Sequence, residues 1–289
     1  MKTAVIVPFY ETMNTMHVTV MCNLVLQTHQ DVELIIGDDT SHNIEDGLKN
    51  LKERGLLNHP KLTIFTLLDR KPWGLGDIYS IAVDMTDAEL LVFADADIVM
   101  MPDHVEKHVL IQQNRGPVLV QGAVQFVSPE DEQKILDDPN NIKNVTLFDW
   151  NRKPHPYDDP YCCTIPNCNQ CAWLCHGASI LAKPFKEIGG FRPEYAGYYA
   201  PFDADLSYRL ETMGIRVRRS FLPSAINLAS PTCHTAKRPK PLMQEGNEEE
   251  NKEGWRLYRE FGKGLPGNRI STTPRVRQVK MLVKNGVVQ

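Results

Sequence analysis

Along the first 126 positions, apolar residues come in short continuous runs separated by turn residues and mixed segments. Residues 3–7, 32–36, 61–67, 89–94 and 118–126 are rich in Val, Ile and Leu, and they read as strands buried on both faces. Residues 17–27, 44–54 and 103–114 carry apolar positions three and four apart, the spacing of helices. Strands that alternate with helices predict an α/β fold built on a largely parallel central sheet flanked by helices.

The rhythm breaks over residues 128–169, where Pro, Asp and Asn accumulate, and the expectation there is an irregular insertion. Strand pattern returns at 176–182. A helix follows at 203–213, with Leu206, Leu210 and Met213 on one face. This organisation predicts one catalytic domain over residues 1–234, a Cys-rich insertion at about 128–176, and an acidic then basic extension over 235–289.

A chain of 289 residues with 42% hydrophobic residues can bury a substantial core. No apolar run reaches the roughly 18 residues needed to span a bilayer, and the N-terminus lacks the apolar centre of a signal peptide, so the expectation is a soluble, cytoplasmic protein. The net charge of -4 conceals an acidic run at Glu245, Glu248, Glu249, Glu250 and Glu253, followed by Arg269, Arg275, Arg277, Lys280 and Lys284. Such a tail is either a solvated terminus or a contact for a polyanion.

Candidate chemistry lies where strands end. In a doubly wound sheet, ligands bind beyond the carboxyl ends of the strands. Here the second strand runs into Gly37-Asp38-Asp39-Thr40-Ser41 and the fourth into Asp95-Ala96-Asp97. An aspartate after a strand is ordinarily a turn or capping residue. Two clusters on one sheet edge would repel unless a cation or a ligand's donors stood between them.

These segments resemble family 2 glycosyltransferases with the GT-A (Rossmann-like) fold. Val5-Ile-Val-Pro8-Phe-Tyr10 is similar to that family's first strand, Gly37 to Ser41 to its nucleotide-binding turn, and Asp95-Ala96-Asp97 to its metal-binding DxD. Gly177-Ala-Ser-Ile-Leu, Ile188-Gly-Gly-Phe191 and Phe202-Asp203-Ala-Asp205 follow its later pattern, so the resemblance spans residues 3–234. Two departures stand out: Phe202 replaces the family's usual Glu, and residues 74–82 lack its Arg-Asn pair.

The resemblance implies a metal-dependent, inverting hexosyl- or pentosyltransferase that uses a nucleotide sugar. Asp95 and Asp97 would hold Mn²⁺ or Mg²⁺, which favours hard oxygen ligands, with His234 as candidate third ligand. Pro8, Asp38, Asp39, Asp95 and Asp205 would contact the donor. An aspartate that accepts from a uracil imide favours a UDP-sugar. Asp203 would be the catalytic base that removes the acceptor's proton, although Asp203 and Asp205 also suit a helix start. A retaining transferase would share the fold and use Asp203 differently.

Five of the seven cysteines fall between Cys162 and Cys175. Cys163, Cys168, Cys171 and Cys175 form a candidate structural Zn²⁺ set, with Cys162 and His176 as substitutes, against the alternative of unligated thiols. His104-Val-Glu-Lys-His108 displaces the glutamate of a metalloprotease helix and is expected to be a solvated face. For the acceptor, a glycan or other small molecule is one expectation. With Lys237, Arg238 and Lys240 near the tail, hydroxymethylated DNA, the acceptor of some phage enzymes, is another. A non-catalytic nucleotide-sugar or partner-binding module is the alternative of a different class.

Overall fold

The structure, a computed structural model, describes residues 1–68, 75–145, 176–195, 202–228, 256 and 278–289. Among these residues, ten strands form one sheet in the order β10-β9-β3-β2-β1-β4-β7-β6-β8-β5. The N-terminal half is the expected βα alternation. β1 (Thr3–Phe9), β2 (Val32–Asp38), β3 (Leu62–Leu67) and β4 (Leu90–Ala94) are parallel to one another, with β1 between β2 and β4. Between them run α1 (Met16–Val20), which continues into a π-helical turn at Met21–Val25, α2 (Ile44–Glu53) and α3 (Leu75–Asp84).

β1 shows why these strands read as unbroken apolar runs. Val5, Val7 and Phe9 enter one core, while Ala4 and Ile6 enter another on the opposite face of the sheet. A strand covered by helices on both sides has no solvent face to alternate with.

The rest of the sheet is mixed. β7 (His176–Leu181) runs antiparallel between β4 and β6 (Val118–Phe126). β8 (Arg216–Asn227) is parallel to β6, and the short edge strand β5 (Ile98–Met100) is antiparallel to β8. The expectation of a mostly parallel sheet therefore holds for β1 to β4, and beyond them antiparallel pairs are mixed with the parallel pair of β6 and β8. α4 (His104–Arg115) packs under β6, β7 and β8, and α6 (Ala182–Glu187) and α7 (Phe202–Thr212) complete the layers.

Three local expectations are corrected. The insertion opens with regular structure: Ser128 caps α5 (Pro129–Asp137), its hydroxyl accepting from Asp131 N at 3.2 Å, and Ile135 is fully buried. The end of the tail is sheet, because β9 (Val279–Lys284) pairs antiparallel with β3 and hairpins into β10 (Val287–Val288). Val283 is buried in the core, so residues 279–288 belong to the same sheet as the first strands.

The third correction is α4, whose His104 and His108 are wholly buried rather than solvated. Ser224 O can only accept, so His104 Nδ1, 2.8 Å away, carries the proton. His108 Nε2–H then donates to His104 Nε2 at 3.2 Å, and His108 Nδ1 accepts from the Ser179 hydroxyl at 2.7 Å. In this arrangement each nitrogen has a partner and both rings are neutral. Burial pushes His104 down to about 4, and burial followed by repulsion from His104 holds His108 well below the ordinary value.

Candidate active site

The strand order 3-2-1-4 reverses direction at β1, and the crevice at such a switch point, beyond the strands' carboxyl ends, is where α/β sheets take ligands. Register places the candidate residues along that rim. Pro8 pairs with Gly37 and Phe9 with Asp38, while Asp38 pairs with Thr66 at the end of β3. Asp95 lies two residues beyond the Ile6–Phe93 pair, level with Pro8 across the switch. Two strand spacings, about 10 Å in all, separate the ends of β2 and β4.

The turn after β2 is tightly built. Asp38 is fully buried and accepts from Ser41 N at 3.1 Å and from Thr66 Oγ1 at 2.6 Å. Burial raises its carboxyl above the usual range, and the bonds from Ser41 and Thr66 oppose that rise. Thr40 takes a left-handed conformation at φ 57°, as does Glu11 at φ 55° in the loop after β1. The two loops are stitched together: Glu11 N donates to Ser41 Oγ at 2.8 Å, and His42 N donates to Glu11 Oε1 at 3.0 Å. Gly37 is required by packing, since a Cβ there would overlap Ile78 and Phe65.

Of the two neighbouring aspartates, Asp38 is thus committed to the turn, and Asp39, also buried, follows the last residue of β2. Ser41, the last residue of the expected turn, shapes this cradle together with Glu11 and Thr66, which the sequence pattern does not mark.

Asp95-Ala96-Asp97 forms the turn between β4 and β5, with both carboxyl-bearing residues half-buried. Its backbone carbonyls are engaged: Asp95 O accepts from Ile98 N at 3.0 Å, Ala96 O from Thr19 Oγ1 at 3.3 Å, and Asp97 O from Leu228 N at 2.8 Å. The main chain is fixed, and hard carboxylate oxygens at the rim are suited to Mg²⁺ or Mn²⁺. Among the described residues, no group of three His, Cys, Asp or Glu side chains is arranged to enclose a metal ion.

An aromatic cluster brings the start of α7 beside the end of β4. Phe191 lies 5.7 Å from Phe93, two residues before Asp95, and 5.5 Å from Phe202, which precedes Asp203. Tyr79, 5.4 Å from Phe191, directs its hydroxyl to Ala94 O at 3.4 Å. Phe202, which replaces the expected Glu, packs in this cluster, and Asp203 follows it, half-buried, in the first turn of α7.

Asp205 is not at the rim. Its side chain is wholly buried and accepts from Arg209 Nε at 2.7 Å, Arg192 Nε at 3.2 Å and Tyr195 OH at 3.3 Å. Arg209 also donates to Ile188 O and Gly190 O, which ties α7 to the Gly-Gly-Phe turn. Burial draws the Arg209 guanidinium below its ordinary value while Asp205 opposes the shift, and burial raises the Tyr195 phenol. The expected donor contact of Asp205 is replaced by an internal ion pair. His234, Lys237, Arg238, Lys240 and the cysteines Cys162, Cys163, Cys168, Cys171 and Cys175 lie outside the described residues.

The comparisons with known proteins agree with the fold. The sequence profile described as glycosyl transferase family 2 matches residues 4–169, more than half of the chain. The protein belongs to glycosyl transferase family 2, and its fold is GT-A. S. aureus TarS superposes with a TM-score of 0.55 at 14% identity, over 90% of this chain and 43% of that one.

The mannosyltransferase PcManGT from Pyrobaculum calidifontis, solved with GDP-Man and Mn²⁺, gives a TM-score of 0.55 at 16% identity, over 93% of this chain and 67% of that one. TarS 1–349 in complex with UDP-GlcNAc gives 0.54 at 12%, over 80% and 61%. The chain thus spans less than half of full TarS and under two thirds of its 1–349 fragment. No curated protein sequence matches the chain significantly. Among the described residues, no helix is long and apolar enough to cross a membrane.

Proposed function

We propose that this protein transfers a sugar from a nucleotide sugar to an acceptor hydroxyl, with inversion, at the rim formed by β1, β2 and β4. The observation that carries the reading is the placement of Asp39 and Asp95 on either side of β1 at the switch point, where a nucleoside diphosphate lies across the strand ends. Structural neighbours solved with UDP-GlcNAc and with GDP-Man and Mn²⁺ support the donor class.

In this reading Asp39 accepts from the base and favours UDP, while Asp38 holds the turn that presents it. Asp95 and Asp97 would hold Mn²⁺ or Mg²⁺ together with diphosphate oxygens. When bound, the ion neutralises charge on the leaving diphosphate. Asp203 takes the proton of the acceptor hydroxyl as its oxygen bonds to the anomeric carbon, and the bond from that carbon to the diphosphate breaks on the opposite face. Phe202 packs against Phe191 and fixes the start of α7, which presents Asp203.

The test is a screen of UDP- and GDP-sugars for Mn²⁺-dependent thermal stabilisation and slow donor hydrolysis, repeated with glycans and hydroxymethylated DNA as acceptors. Stabilisation and hydrolysis with one nucleotide class are expected. Binding that leaves every donor intact in the presence of Mn²⁺ would turn the assignment toward a non-catalytic module.

A further inference from the structure

The DxD turn, β5 and the start of α4 are held from beneath by three polar side chains that the transfer chemistry does not use. Thr19, Asn23 and Gln27 are four residues apart and buried, with Thr19 and Asn23 completely enclosed. Spacing by four drifts around an ordinary α-helix of roughly 3.6 residues per turn. Here the segment passes from α1 into a π turn, closed by Leu26 N donating to Met21 O at 2.8 Å. A π turn takes up about 4.4 residues, so the average approaches four and the three side chains stack in one line.

That line reads the backbone from Ala96 to Val105. Thr19 Oγ1 donates to Ala96 O at 3.3 Å, sharing its proton with Thr15 O at 3.4 Å. Asn23 Nδ2 donates to Ile98 O at 3.1 Å, and its Oδ1 accepts from Met100 N at 2.8 Å. Gln27 Nε2 donates to Met101 O at 3.0 Å, and its Oε1 accepts from Val105 N at 3.1 Å. β5 is the last strand of the sheet, paired with β8 on one side only. On its other side the Asn23 amide supplies one donor and one acceptor, as the peptide of a further strand would.

We propose that Thr19 and Asn23 are positioning residues for Asp95 and Asp97, setting the divalent-cation affinity of the turn from a buried stripe, continued by Gln27 toward α4, that touches neither ion nor sugar. The proposal rests on the DxD reading above. Asp97 directly precedes Ile98, and Ala96 lies between the two carboxylates. Release of Ala96 O and Ile98 O frees the turn to rotate, and ligands that must meet on one small ion lose affinity when their geometry loosens.

The test measures the Mn²⁺ concentration that half-saturates thermal stabilisation in the presence of UDP or GDP, and the same quantity for donor hydrolysis. Asn23→Leu is expected to raise it roughly tenfold, the scale for loss of a supporting polar contact at a metal site. Thr19→Val raises it less, and Thr19→Ser, which keeps the hydroxyl, restores it.

Gln112→Leu removes an equally buried amide that bonds Val118 N and O far from the turn, so it lowers the melting temperature without moving the Mn²⁺ midpoint. Midpoints that follow melting temperature alike in the Asn23, Thr19 and Gln112 variants would overturn the proposal, as would unchanged midpoints in the Thr19 pair if Asn23→Leu does not fold. A wild type that binds nucleotide and ignores Mn²⁺ would remove the DxD reading and this proposal together. A responsive wild type with unresponsive Thr19 and Asn23 variants would remove this proposal alone.

Discussion

Asp205 and Arg209, one turn apart on α7, meet at 2.7 Å with both side chains buried. Arg192 and Tyr195 complete the shell around the carboxylate, so the pair is a closed network rather than a surface ion pair. Removing one partner strands the other's charge in the interior. Asp205→Ala is expected to destabilise the fold by about 3–5 kcal/mol, measured by urea denaturation. Donor affinity at temperatures where the variant remains folded should be unchanged, which separates this aspartate from those at the rim.

Asp97→Asn should behave in the opposite way. The half-buried side chain contributes little to the core, so the melting temperature stays near that of the wild type. If it holds a cation with the diphosphate, neutralising it removes several kcal/mol of charge stabilisation, and transfer falls roughly a hundredfold or more. Isothermal titration of UDP or GDP with and without Mn²⁺ checks the cause: the metal-dependent part of the affinity should vanish and the metal-independent part remain.

Asp203→Asn separates binding from chemistry. The amide keeps the shape of the first turn of α7 but cannot take a proton at neutral pH. Loss of a general base costs about 10² to 10⁴ in rate. The expected outcome is a lowered kcat with donor KM little changed, together with intact Mn²⁺-dependent stabilisation. A variant with wild-type kcat would leave Asp203 as a helix-start residue only.

Much of this architecture was legible because β1 to β4 are buried on both faces, and an unbroken apolar run carries its own evidence of burial. The rim aspartates were visible for a related reason, since charge next to such a run can only lie at its end. Asp205 was misread as a rim residue because its partners Arg192 and Tyr195 come from a separate turn and meet it only in the folded chain. β9 was read as tail because its lysines dominate Val-Lys-Met-Leu-Val-Lys, while its contribution to the core depends on pairing with β3, more than 200 residues earlier. The polar line of Thr19, Asn23 and Gln27 was hidden by a helical period that a π turn alters locally.

The two histidines of α4 give the fold an acid limit that can be worked out from their hydrogen bonds. In the unfolded chain each imidazole takes a proton near pH 6.5. In the folded protein His104 does so only near 4, because burial of its ring disfavours the charged form by more than the nearby carbonyls of Ser224 and Gly177 favour it. Between those values the unfolded state binds more protons, so stability is complete above about pH 6.5 and falls as pH drops toward 4. One such histidine costs about 1.4 kcal/mol per pH unit within that window, or about 2 kcal/mol by pH 5. His108, also held well below its ordinary value, adds to the loss. Urea midpoints between pH 7.5 and 4.5 should fall steadily below pH 6.5. In His108→Gln, which removes one titrating ring while keeping an amide that can donate to His104 Nε2, the slope should be shallower. A wild-type profile that is flat from pH 6.5 to 5 would mean that water or a rearranged ring already accommodates the protonated pair in the folded state.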